Sequence, residues 1–214
     1  MSTGEFGAKR LTTFLKALAS SDSTPGGGTA AAVVAAEGAA LVAMVGRLTD
    51  GKEGYEGAWD AMRRLVESAD EARDAFLSLA DRDTEAFNAV MAAFKLPRKT
   101  ERQKVIRSEK IQRAYLQAAE VPAEVARQAV ELMRGAVEAI ETGNTNAASD
   151  GAAAANLLFA ATQAALANVS INAESIRDQG VAEKLRFEAE TLDARSRERL
   201  RAADDAFRRA LKPV

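Results

Sequence analysis

A chain of 214 residues with a formal net charge of −2 is long enough for one sizeable core and lacks the basic excess that nucleic acid selects. It has no cysteine, which excludes disulfides, thiolate nucleophiles and thiol metal sites, and no histidine, which removes imidazole ligands and the usual proton carrier near neutrality. Hydrophobic residues make up 47% but aromatics only 5%, so much of the apolar content is alanine, the best helix former. Acid–base chemistry must therefore fall to Asp, Glu, Lys or Tyr with shifted pKa values, and no metal motif stands out. Met1–Arg10 has no apolar leader core, and the two apolar stretches 30–45 and 152–167 are short and interrupted by Glu37 and by Asn156, Thr162 and Gln163. They read as buried helices, with no membrane partner and a cytoplasmic location expected.

In chain order, Phe14, Leu15 and Leu18 mark a short amphipathic helix, and Pro25–Gly28 breaks the chain. A second helix is predicted from near Thr29 to about Leu48, apolar on nearly every face and so central to the core. After a turn at 49–54, the spacing predicts one very long helix over 55–95, or two with a kink near Asp81. Its inward stripe runs from Trp59, Met62 and Leu65 to Phe87, Met91 and Phe94. Leu96-Pro97 stops it. A charged helix follows over 100–119 with Val105, Ile111 and Tyr115 inward, and Pro122 kinks or restarts the chain before helix resumes to about Glu141. Gly143–Asp150 is a second break; an Ala-rich helix then runs to about Asn172, and a charged amphipathic helix spans roughly 182–211. With no strand alternation, no repeat and no linker, the expectation is one all-α bundle over residues 1–214, with a central Gly/Ala-rich helix and long antiparallel neighbours.

Four constellations carry polar chemistry. Gly26, Gly27 and Gly28 with Thr29 open the buried helix; bare glycine N–H groups at the positive helix end suit an anion or a heterocycle edge, and equally suit a close-packed turn. Asp83 lies four residues before Phe87 on the apolar side of the long helix, either a buried structural acceptor or an acid–base group. Asn144, Ser149 and Asp150 fall in the second break, where Ser149 or Asp150 is a natural N-cap and Asn144 a left-handed C-cap. Asn168 and Asn172, at i and i+4, share one face of an apolar helix and need a backbone or a ligand as partner. Glu37 is a lone carboxylate that also fits a groove leading to solvent.

Taken together these segments resemble the cyclodeaminase/cyclohydrolase family of folate enzymes. The resemblance rests on Pro25 to Ala32, Met44 to Thr49 with Gly51-Lys52, Asp83 with Ala86-Phe87, and Leu96-Pro97. It continues through Ile111-Gln112, Val121-Pro122, Gly143-Asn144, Ser149-Asp150 and Asn168-Val169 with Ile171-Asn172, in the family's order over about residues 11–175. Arg98 stands where the family usually has lysine.

The resemblance implies a homodimeric helical enzyme acting on a tetrahydrofolate derivative as substrate, with no permanently bound cofactor. Cyclohydrolysis of 5,10-methenyltetrahydrofolate to 10-formyltetrahydrofolate is preferred for a free-standing domain, and closure of 5-formiminotetrahydrofolate with loss of ammonia is the alternative. A non-catalytic dimeric scaffold is the rival of another class. Asp83 and Asp150 are the implied proton-transfer groups. Gly26–Thr29, Asn144, Ser149, Asn168 and Asn172 are the implied substrate contacts, with Arg47, Lys52 and Arg98 for the glutamate carboxylates.

Overall fold

The computed structural model describes residues 5–211, so the extreme termini of the expected domain lie outside the described residues. Seven α-helices and two 3-10 turns make up its regular structure: α1 Glu5–Ala8, α2 Leu11–Leu18, α3 Gly27–Thr49, α4 Trp59–Phe94, α5 Glu101–Thr142, α6 Ala148–Ala173 and α7 Gln179–Ala210. The all-α expectation holds, and among the described residues there is no strand.

The alanine content explains how the bundle closes. Ala31, Ala32, Ala35, Ala39 and Ala43 of α3 are buried, and small side chains let neighbouring helices approach closely. At Gly46 a side chain would meet Val66 Cγ2 at 2.6 Å, and at Gly38 it would meet Leu158 Cγ at 2.8 Å, so α4 and α6 flank α3. The larger residues Phe76, Met62, Met133 and Leu158 fill the remaining space fully buried, each contributing about 1.5–3 kcal/mol. The early part of α4 meets the late part of α3, and Asp83 of α4 meets its beginning, so these two helices are antiparallel. α6 is antiparallel to α3 as well, with Gly38 against Leu158 and Ala154 and, earlier in α3, Gly27 beside Asn168. α7 covers α5 and α6: Arg127 of α5 grips Glu188 through two bonds of 2.6 and 2.9 Å, and Gln163 of α6 donates to Asp193 at 2.7 Å.

Most of the long 55–95 segment is one continuous helix, Trp59–Phe94, of 36 residues, entered through the 3-10 turn Glu56–Ala58. It ends where Arg107 of α5 donates to the Phe94 carbonyl and stacks over its ring, a cation placed at the negative helix end. Thr100 and Gln103 then form a reciprocal capping box that starts α5.

The structure departs from the sequence expectation at Pro122 and along two apolar stripes. Pro122 does not restart the chain, because α5 runs unbroken through it for 42 residues. A proline at 122 removes the N–H that would bond the Ala118 carbonyl. Asn172 Nδ2, reaching across from α6, donates to that carbonyl at 2.9 Å. The orphan acceptor is satisfied from another helix, and the helix survives. The second correction concerns the stripes: Phe87, Met91 and Phe94 at the end of α4, and Val105 near the start of α5, are exposed rather than inward. The inward positions there are Ala86, Val90 and Ala93, one step round the helix.

Candidate active site at the start of α3

The expected site residues fall into two groups, one at each end of α3. Gly26–Thr29, Asp83, Asn168 and Asn172 gather at its N-terminus; Arg47, Lys52, Asn144, Ser149 and Asp150 gather around its C-terminus. From Gly28 to Thr49 the helix rises roughly 30 Å. One chain therefore does not bring Asp83 and Asp150 together.

At the N-terminal end, Gly26 is the N-cap residue in extended conformation and offers no side chain to cap with. The cap comes from α4 instead. Thr29 Oγ1 donates to Asp83 Oδ2 at 2.8 Å, and the Thr29 N–H bonds the same carboxylate. A negative group at the free N–H end of a helix is electrostatically favoured. Gly28 must be bare, since a Cβ there would lie 2.7 Å from Asp83 Cγ. Gly27 is less constrained: a Cβ would stand 3.5 Å from Asn168 Nδ2, ordinary contact distance. Burial pushes the Asp83 carboxyl above its usual range, while the Thr29 hydroxyl and N–H pull the other way. The result is a half-buried carboxylate that holds its proton more tightly than an ordinary Asp, a property suited to acid–base work in a chain without histidine.

Asn168 Nδ2 donates to the Ala164 carbonyl at 2.9 Å, and Asn172 Nδ2 is shared between Asn168 and Ala118 carbonyls. Both amides thus have backbone partners, and Asn172 has the structural duty set by Pro122. Thr84 was not singled out from sequence. Its hydroxyl lies 3.3 Å from Thr29 Oγ1, and the only sequence signal was adjacency to Asp83.

The C-terminal end is built differently. Asn144 is buried; its N–H donates to Thr49 Oγ1 at 2.8 Å and its Nδ2 to the Leu48 carbonyl at 3.2 Å, closing the last turn of α3. Asn144 has negative φ, so it is not a left-handed C-cap; its side chain instead accepts from the Asn146 N–H and opens the 3-10 turn Thr145–Ala147. Neither Ser149 nor Asp150 caps α6: Ala147 holds the cap position without a side-chain bond, Ser149 is exposed and Asp150 sits in the first turn. Tyr55, another residue that sequence reading passed over, receives the Thr145 N–H at 3.1 Å and contacts its hydroxyl at the same distance, which lowers the phenol's pKa. Arg47 is ion-paired with Asp70, and Lys52 lies in the turn where Gly51 and Gly54 take left-handed φ values. Glu37 is exposed on α3. Arg98 is exposed beyond the end of α4, in a segment 95–113 with eight Lys or Arg and two Glu. α4 rises roughly 16 Å between Asp83 and Phe94, so that segment and the Asp83 end share one pole of the bundle.

Comparison with known proteins agrees with this architecture. A methenyltetrahydrofolate cyclohydrolase of Methylorubrum extorquens is 39% identical over 186 residues, covering 87% of this chain and 89% of the relative. A formimidoyltransferase-cyclodeaminase of Rattus norvegicus is 35% identical over 182 residues, and there the chain spans only 34% of the relative's length. The crystal structure of a formiminotetrahydrofolate cyclodeaminase from Thermotoga maritima superposes with a TM-score of 0.87 at 33% identity, covering 96% of this chain and 98% of that one. The model of the formiminotransferase-cyclodeaminase family matches residues 10–191, and the chain belongs to that family.

Proposed function

We propose that this chain is a methenyltetrahydrofolate cyclohydrolase acting as a single domain, and that Asp83 carries the proton. The observation behind this reading is a match over 89% of the length of a cyclohydrolase, set beside a match to only 34% of the rat formimidoyltransferase-cyclodeaminase. The geometry at Asp83 supports it. The substrate carries a cationic carbon bridging N5 and N10. Water adds to that carbon as Asp83 takes one water proton and passes it to N5; the C–N5 bond then breaks as the remaining hydroxyl proton is released to solvent, and the formyl group stays on N10. A carboxylate near the cation stabilises it and favours its own ionised form, which offsets the effect of burial. Arg98 and its basic neighbours meet the glutamate carboxylates, and Gly26 with Asn168 borders the ring system.

The same tetrahedral carbon arises when N10 closes on a 5-formimino group and ammonia leaves. The Thermotoga maritima neighbour, by its name a cyclodeaminase, favours keeping this as the second reading. Loss of methenyltetrahydrofolate's near-ultraviolet absorbance faster than its spontaneous hydrolysis tests the first. Ammonia release from 5-formiminotetrahydrofolate, without that loss, selects the second. Absence of both leaves the scaffold reading.

The functional unit we propose is a cytoplasmic homodimer. Phe87, Met91 and Phe94 form an exposed i, i+4, i+7 stripe on α4 that a second copy would cover. Light scattering at micromolar concentration that returns a monomer mass contradicts this.

A further inference from the structure

Thr29 has one hydroxyl proton, and it goes to Asp83 Oδ2. The neighbouring Thr84 hydroxyl, 3.3 Å from Thr29 Oγ1, must then be the donor in that contact. The result is a directed chain, Thr84 to Thr29 to Asp83, crossing from α4 to α3 and back. Thr29 is fully buried, so its rotamer is set by packing rather than by solvent. Its own N–H, part of the rigid first turn of α3, bonds the same carboxylate. Gly28 leaves no side chain to displace that carboxylate. Thr29, through its hydroxyl and N–H, and the bare Gly28 therefore define where Asp83 sits.

We propose that Thr29 is a positioning residue for the Asp83 carboxylate, oriented in turn by the Thr84 hydroxyl, so that the carboxylate meets substrate in one fixed orientation. The catalytic consequence rests on the reading of Asp83 as proton carrier; the hold itself does not. A hydroxyl donated to a desolvated carboxylate stabilises its ionised form, so this contact also offsets burial and sets the pH at which Asp83 becomes a base. Among the described residues no ion pair to Asp83 is formed: burial and the two Thr29 bonds govern it. The charged groups on the packed elements include Glu37 and Arg47, both exposed on α3, and Arg113, Glu120, Glu124 and Arg127 on α5, and none of them is among the causes that move Asp83. On α4 itself, Arg82 acts on Glu124, and Glu85 is exposed. α6 has no charged residue between Asp150 and its end at Ala173.

The competing possibility is that Thr29 and Asp83 only cap α3. A cap affects stability, whereas a positioning contact also affects titration and turnover. The test uses Thr29→Val, Thr29→Ser and Thr84→Val in the full chain, followed by carboxyl 13C NMR titration of Asp83 and by kcat and KM against pH. Thr29→Val should raise the Asp83 titration, move the acid limb of kcat upward with it, and lower kcat about 10²-fold, the effect of roughly 1 Å of misplacement, with KM nearly unchanged. Thr29→Ser should restore both readouts, and Thr84→Val should move them in the same direction by less. An unmoved Asp83 titration in Thr29→Val, or a loss of turnover that Thr29→Ser does not restore, overturns the proposal. If Thr29→Val fails to fold, an unmoved titration in Thr84→Val overturns it instead. Full activity in Asp83→Asn overturns the proton-carrier reading alone, because the NMR titration still judges the hold by Thr29.

Discussion

The two ends of α3 solve the same capping problem in opposite ways. At the C-terminal end, Asn144 and Thr49 close the helix with neutral groups, and neighbouring Ser149 is left in solvent. At the N-terminal end the cap is a carboxylate imported from α4, half-buried and pressed against a bare glycine. A neutral cap would satisfy the same N–H groups without the cost of burying a charge. A fold that keeps the costlier arrangement has placed a titratable group where desolvation raises its proton affinity, and such groups concentrate at functional sites. The contrast separates a structural end from a chemical one.

The sharpest way to stress this contrast is at the glycines. Gly28→Ala forces the Asp83 carboxylate aside, and because only a side-chain end must move, the helical circular-dichroism signal should persist while turnover falls about 10²-fold or more. Gly27→Ala meets Asn168 at ordinary contact distance and should stay within a few-fold of wild type. Equal effects from the two substitutions would remove the distinction between cradle and turn.

A smaller effect tests whether Asn172 is a strut or a ligand contact. Asn172→Ala orphans the Ala118 carbonyl and should cost about 1–3 kcal/mol of stability. In a Pro122→Ala background the helix supplies its own N–H, and the same change should cost markedly less. A raised KM with unchanged stability would return Asn172 to the substrate.

The pH dependence of stability gives the finest discrimination. Asp83 holds its proton more tightly folded than unfolded, so its contribution is most favourable below the ordinary carboxylate pKa and is lost as pH rises through the raised folded value. Asp83→Asn lacks that loss. Its melting temperature should gain on wild type as pH climbs through this window and then hold a constant lead. A lead that is already complete at the acid end contradicts the assignment of burial as the dominant influence.

Much of this fold was legible in the sequence because helical periodicity is a local signal. The span of α3, the long α4, the alanine-rich α6 and the charged α7 all follow from spacing and breakers within a few residues. What escaped depends on partners far along the chain. Pro122 reads as a break until Asn172, fifty positions later, supplies the missing donor. Phe87, Met91 and Phe94 read as core because apolar spacing does not distinguish a face packed within the chain from one left outward. Asp83 is legible through its family pattern, whereas its spacing to Phe87 points the wrong way, because Phe87 is exposed and the buried residues on its face are Ala86 and Val90; Thr29 reads as a substrate contact, since its hydroxyl's destination lies 54 residues away. The separation of the Gly26–Thr29 turn from Arg47 was implicit in the sequence, because a helix of some twenty residues parts its ends by about 30 Å.

The central claim is that the proton-transfer carboxylate lies at the start of α3 and not beside its end. Single-turnover hydrolysis of methenyltetrahydrofolate by Asp83→Asn and Asp150→Asn, compared at saturating substrate, measures it directly. The account predicts that Asp83→Asn slows the chemical step by about 10²–10⁴-fold with little change in affinity. Asp150→Asn, which loses only a favourable charge in the first turn of α6, should keep nearly full turnover and about 0.3–1 kcal/mol less stability. Nearly full activity in Asp83→Asn together with a large loss in Asp150→Asn would contradict the account and move the chemistry to the opposite pole.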